Sequence, residues 1–134
     1  MTPQIPTGST MLGIGCDIIE VSRVRESIER QGERFLERIF TTEELRYCAT
    51  MRTPWAAYAA RFAAKEAVSK CFGTGIGAEL GWKSVSIRHG ERGEPIVVLD
   101  EQGQALLTRH GGARVLISLS HSDTMAMAVA SVVS

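Results

Sequence analysis

Apolar residues at positions 60, 63, 64, 67, 68, 71 and 72 recur at helical spacing through an alanine-rich stretch that stops at Gly73. The pattern predicts one long helix over 54–72 with a buried face. Thr53-Pro54 places a capping residue before a proline at the first helical position, and Gly73-Thr-Gly-Ile-Gly77 ends the helix. A buried helical face needs a second layer to pack on, and the rest of the chain must supply it.

The same helix carries Glu66, with Ser69 and Lys70 one turn further on. Residues three and four apart share a helical face, so a carboxylate, a hydroxyl and an ammonium gather there. Two readings follow: a solvated Glu66–Lys70 ion pair, or a place for a hard cation beside a phosphate. A second segment, Leu12-Gly-Ile-Gly-Cys-Asp-Ile-Ile-Glu-Val21, is an apolar run interrupted by Asp17. Gly13 and Gly15 predict a buried strand that something approaches closely. A carboxylate within such a strand needs a partner. Either Asp17 meets an Arg or Lys elsewhere, or Asp17 and Glu66 together hold Mg²⁺ beside substrate phosphates.

The 134 residues suffice for one compact domain. A net charge of zero gives no nucleic-acid-coating surface, so no nucleic-acid partner is expected. No membrane association is expected either: no apolar run approaches the ~20 residues of a membrane span, and the N-terminus lacks the build of a signal peptide. Cys16, Cys48 and Cys71 are scattered among apolar neighbours without metal-ligand spacing, which suits a reducing cytoplasm. Residues 1–10, with Pro3, Pro6 and Gly8, lack periodicity and read as a flexible extension ahead of a domain over 11–134.

A strand over 11–19 is expected to run into a helix over 22–31, capped by Ser22 and ended by Gly32. Thr41-Thr-Glu-Glu44 has capping-box spacing and opens a helix to about residue 51. Beyond the long helix, alternation from Trp82 to Arg88, a turn at Gly90–Gly93 and an apolar run from Ile96 to Leu99 make a hairpin. A short helix over 101–109 precedes two apolar strands, 114–120 and 124–133, joined by His121-Ser-Asp123. The class is α+β, a mostly antiparallel sheet packed on a long central helix.

Gly73-Thr-Gly-Ile-Gly77 follows a helix and lacks the ending of a P-loop, so it reads first as a C-cap and turn, with room for a ligand to approach backbone beside Lys70. Ser118, Ser120, His121 and Asp123 are too close in sequence for a hydrolase triad. On the first helix Arg23, Ser27 and Arg30 lie on one stripe, joined by Arg34 if the helix persists past Gly32. Glu26, Glu29 and Glu33 lie beside it, and Val24 with Ile28 faces inward. The stripe is either a solvated face or a basic ridge for an acidic partner.

Taken in order, Gly13-Ile-Gly-Cys-Asp-Ile-Ile-Glu-Val21, Arg38-Ile-Phe-Thr-Thr-Glu-Glu44, Arg61-Phe-Ala-Ala-Lys-Glu-Ala-Val-Ser-Lys70, Phe72-Gly-Thr-Gly-Ile-Gly77, Gly93-Glu-Pro95 and Ser118-Leu-Ser-His121 closely resemble the holo-(acyl-carrier-protein) synthases, the small 4′-phosphopantetheinyl transferases. The resemblance spans roughly residues 11–133. It implies transfer of 4′-phosphopantetheine from coenzyme A to a serine of apo acyl-carrier protein, releasing adenosine 3′,5′-bisphosphate. It implies Mg²⁺ on Asp17 and Glu66, and catalytic roles for Glu66 and Lys70. Arg61, Lys65, Ser69, Lys70 and Gly73 would line the coenzyme A phosphates, with His121 and Ser122 at the nucleotide end. Arg23 and Arg30 would meet the acidic carrier, and the active unit would be a homotrimer with the site between subunits. A coenzyme-binding module without catalysis, or a structural oligomer, are the other classes. Both retained acids and Lys70 weigh against the former.

Overall fold

The long helix is the axis on which the other elements are placed. In a computed structural model describing residues 5–134, α4 (Trp55–Phe72) carries the expected stripe inward: Ala60, Ala63, Ala64, Ala67, Val68, Cys71 and Phe72 are all buried. Its N-cap is Pro54, without the side-chain cap expected from Thr53. Gly73 closes it in a left-handed conformation (φ 74°).

The layer beneath α4 is a three-stranded antiparallel sheet, β1 (Met11–Glu20), β5 (Met125–Val133) and β4 (Arg114–His121), with β5 central. Register places Asp17 opposite Ala128 of β5, which in turn faces Leu119 of β4. Ala126, Ala128, Ala130 and Val132 of β5 are buried on the helix-facing side. The opposite face is apolar yet uncovered: Ile14 and Ile18 are each 62% exposed, beside exposed Leu12, Met127 and Val129. A separate hairpin, β2 (Val85–His89) and β3 (Pro95–Leu99), covers the flank of α4 and points Val85 and Ile87 into the core. A 3-10 turn, Trp82–Ser84, stands where the strand was expected to start. α5 (Glu101–Arg109) is capped by Asp100, whose carboxylate accepts the Gly103 N–H.

The helices before α4 depart from expectation at the start of α1 and after Gly32. α1 (Val21–Gln31) starts one residue early, and Ser22 lies inside it instead of capping it. The Val21 N–H is satisfied by the Thr124 carbonyl of the β4–β5 turn. Gly32 ends α1, and a further helix, α2 (Glu33–Ile39), follows at once, burying Phe35 and Ile39. α3 (Thr42–Ala49) has the full capping box, with Thr41 and Glu44 exchanging side-chain-to-backbone bonds. Of the expected N-terminal extension, residues 1–4 lie outside the described residues. At its other end Thr10 and Ser134 are paired by two hydrogen bonds, Thr10 N–H to Ser134 Oγ and Ser134 N–H to Thr10 carbonyl.

Candidate active site

Gly13 and Gly15 let β1 lie directly on α4. A Cβ on Gly13 would sit 2.3 Å from the Cys71 carbonyl oxygen, and one on Gly15 would sit 2.2 Å from that of Ala67. No side chain fits such a gap. Alternation along β1 then turns Asp17, two residues beyond Gly15, to the same helix-facing side. There Lys70 of α4 reaches it: Lys70 Nζ lies 3.2 Å from Asp17 Oδ1 and donates to the Cys16 carbonyl at 2.9 Å. The lysine is half exposed and the aspartate mostly covered.

Glu66 stands one turn before Lys70. Its pKa is raised, first because burial disfavours the carboxylate and second because Asp17 adds like charge; Lys70 offsets part of this. Both acids neighbour Lys70, Asp17 across the strand and Glu66 one turn earlier on the same helix. Among the described residues Glu66 makes no ion pair with Lys70, so the solvated i,i+4 pair is not the arrangement adopted. Two mutually repelling carboxylates, one partly desolvated, fit a small divalent cation that takes few protein ligands and keeps positions for phosphate and water. No group of three or more His, Cys, Asp or Glu side chains that could hold a metal ion occurs among the described residues, and the two acids here offer carboxylate oxygens only.

Two of the expected phosphate contacts are corrected. Lys65 is fully buried: its ammonium pairs with Glu44 Oε1 at 2.7 Å and donates to the carbonyls of Trp82 and Val85. Three acceptors use its three N–H groups, leaving none for a ligand. Burial lowers its pKa, opposed by the Glu44 charge. Ser69 is also buried, and its hydroxyl donates to the Glu66 carbonyl at 2.7 Å within the helix. Glu66 and Lys70 therefore present their polar groups without it.

Arg61 is 3% exposed, one turn before Lys65. Its NH1 donates to the Ala57 carbonyl at 3.1 Å, its NH2 lies 2.7 Å from His89 Nε2, and its Nε has no partner among the described residues. Gly73 is exposed at the helix end near Lys70. His121 and Ser122 sit exposed at the β4–β5 turn, and no hydrogen bond joins either to Asp17, Glu66 or Lys70 among the described residues. Ser122 Oγ instead accepts the Thr124 and Met125 N–H groups. Arg23 and Arg30 are exposed on α1, as the stripe predicts, whereas Arg25 turns aside to pair with Glu29 and lie over Trp55.

Burial pushes the Cys48 and Cys71 thiols up to about 11, which keeps them as small apolar side chains; Cys16 is exposed on the outer face of β1. A cleft of about 840 Å³ lies between β3 and β4, edged by Arg92, Glu94 and Arg114, but none of Asp17, Glu66 and Lys70 lines it. Sequence reasoning missed Glu44, Tyr47 and His89, which surround Lys65 and Arg61; only Glu44 left a signal, and its capping-box spacing disguised the second role.

The family description "4′-phosphopantetheinyl transferase superfamily" matches residues 13–130. A holo-[acyl-carrier-protein] synthase of Chlamydia trachomatis serovar L2 is 52% identical over 120 residues, spanning 90% of this chain and 98% of that one. The crystal structure of the Neisseria meningitidis holo-[acyl-carrier-protein] synthase superposes with a TM-score of 0.86 at 32% identity, covering 92% and 98% of the two chains. That of the Bacillus anthracis holo-(acyl-carrier-protein) synthase, in complex with CoA (3′,5′-ADP), does so with a TM-score of 0.78 at 34% identity, covering 92% and 97%. With the glycine-lined β1–α4 contact, the Asp17–Glu66–Lys70 grouping and these likenesses in agreement, the chain belongs to the holo-(acyl-carrier-protein) synthase family of 4′-phosphopantetheinyl transferases.

Proposed function

We propose that this protein transfers the 4′-phosphopantetheine group of coenzyme A to a serine of an apo acyl-carrier protein, in a Mg²⁺-dependent reaction. The serine hydroxyl oxygen forms a bond to the pantetheine-side phosphorus of the pyrophosphate. The bond from that phosphorus to the bridging oxygen breaks, adenosine 3′,5′-bisphosphate leaves with that oxygen, and the serine proton passes to solvent. Such a displacement asks for alignment and charge neutralisation more than for covalent help. The observation that carries this reading is the pairing of Lys70 with Asp17 across β1, with Glu66 one helical turn before that lysine. Mg²⁺, held by those two carboxylates, would supply neutralisation of charge building on the leaving phosphate. Lys70 contacts the same phosphates as a point charge, exchanging its bond to Asp17 for them. Arg61, nearly buried with an unused Nε, takes a further phosphate.

The remaining expectations form part of the same reading. His121 and Ser122, exposed at the end of β4 and the turn after it, would serve the nucleotide end in a site completed by a neighbouring subunit. The uncovered apolar face around Ile14, Ile18 and Met127 supports a homotrimer, since such a patch is unusual on a monomer. A monomeric mass by light scattering would contradict that assembly. Exposed Arg23 and Arg30 give an acidic carrier its register. Three unpaired cysteines fit a reducing cytoplasm. The direct test is to incubate the protein with apo carrier, coenzyme A and Mg²⁺ and to weigh the carrier by mass spectrometry. A gain of one phosphopantetheine that vanishes with chelator is expected; a carrier of unchanged mass would refute the activity.

A further inference from the structure

Two side chains that the reaction does not touch fix the guanidinium of Arg61. Tyr47 of α3 lies under it, the Arg61 Cζ standing 4.5 Å from the ring centroid. His89, the last residue of β2, stacks on Tyr47 with centroids 4.6 Å apart and an interplanar angle of 27°. Its Nε2 lies 2.7 Å from Arg61 NH2, and its Nδ1 lies 3.1 Å from the Gly93 carbonyl. The chemistry of these partners assigns the tautomer. A guanidinium only donates and a carbonyl only accepts, so Nδ1 carries the proton and Nε2 offers its lone pair to Arg61. The arginine is thereby tied through one imidazole to the hairpin turn that carries Gly93-Glu94-Pro95.

The tie leaves most of the guanidinium idle. Of its five N–H groups, the bonds to Ala57 and His89 use two, although the residue is 3% exposed. An almost buried cation held by a stacked ring and two neutral acceptors, with no carboxylate partner among the described residues and donors to spare, suits a planar or tetrahedral anion. We infer that Tyr47 and His89 are positioning residues, which orient Arg61 so that its unused N–H groups meet a phosphate of coenzyme A. This inference rests on the reading of the protein as a coenzyme A-dependent transferase. Tyr47 excludes water from one face, and His89 fixes the rotation of the guanidinium plane.

Coenzyme A binding by calorimetry, carrier modification kinetics and thermal melts on the intact protein test this together. Tyr47→Ala and His89→Ala should each raise Kd and KM for coenzyme A about tenfold, the order of a lost charge-assisted contact, with kcat changed by less than about twofold. His89→Gln, whose amide oxygen can accept from Arg61, should restore most of the affinity. Arg61→Lys should weaken binding similarly, and Arg61→Lys/His89→Ala should be no worse than Arg61→Lys alone, because the histidine acts through the arginine. Wild-type affinity in folded His89→Ala, or additive losses in the double variant, would overturn the inference while the wild-type protein still transfers. A wild-type protein that binds no coenzyme A would overturn both this inference and the function it rests on. Should Tyr47→Ala melt early, Tyr47→Phe, which keeps the ring, should bind as wild type, and a loss of affinity there would count against the stacking role.

Discussion

Lys70 pairs with Asp17 on the neighbouring strand, at 3.2 Å, and not with Glu66 on its own helix. The preference has a geometric cause. Gly15 brings β1 so close to α4 that the Lys70 side chain rises directly past the strand, where it also meets the Cys16 carbonyl. Glu66 is left partly buried with no ion pair among the described residues, and burial, then the Asp17 charge, raises its pKa, which Lys70 only partly offsets. The site therefore holds more negative charge than its lysine neutralises when both acids are ionised, a condition that a bound divalent cation would relieve.

Glu66→Gln removes that excess charge and, on the proposed reading, one ligand of Mg²⁺. Transfer activity should fall by about two to three orders of magnitude, the scale of losing a preorganised electrostatic contact. Without Mg²⁺ the same variant should be more stable than wild type at neutral pH. Because the folded-state pKa of Glu66 is raised, folding favours its protonated form. That stabilisation is complete below the ordinary glutamate range and is lost as pH rises through the raised value. The neutral glutamine escapes the loss, so its Tm advantage at pH 7, on the order of 2–4 °C, should vanish in acid. Melts across pH, with chelator present, check the sign.

Gly15→Ala should destabilise the fold by about 1–3 kcal/mol or more, since its Cβ would stand 2.2 Å from a carbonyl oxygen that belongs to helix backbone and has little freedom to yield. It should also weaken Mg²⁺ binding, because the strand must lift and carry Asp17 away from Glu66. Denaturant melts and metal titration on the same variant separate the two effects.

Lys65→Met should cost about 3–5 kcal/mol by stranding the Glu44 carboxylate in the core. Adding Glu44→Gln should recover a large part, because a glutamine can still accept the Ile87 N–H that Glu44 Oε2 accepts at 2.9 Å. Equilibrium unfolding of the two singles and the double measures the coupling. A Lys65→Met variant of wild-type stability would show that the buried pair carries no weight.

What the sequence made legible follows from which interactions are local. The inward stripe of α4 could be read from helical period alone, and the Gly13/Gly15 pair announced the close contact with β1 before any partner was known. α2 escaped notice because Gly32 reads as a stop, and the apolar residues Phe35, Leu36 and Ile39 make too short a pattern to declare a helix. Lys65 was misplaced for a different reason. The resemblance sets Lys65 one turn from Arg61 toward the phosphates, and only the folded chain brings Glu44 and two carbonyls around it. Ser69 shares a face with Lys70 only loosely; a hydroxyl that can bond its own helix does so when buried. His89 and Tyr47 carry no motif at all, because their relation to Arg61 exists only across three elements.

The claim beneath all of this is that Asp17 and Glu66 grip one ion. A crystal grown with Mn²⁺ and coenzyme A, read by anomalous scattering, measures it most directly. One peak per chain within bonding distance of both carboxylates is the expected result. A peak bound to only one of these acids, or to neither, would contradict the account.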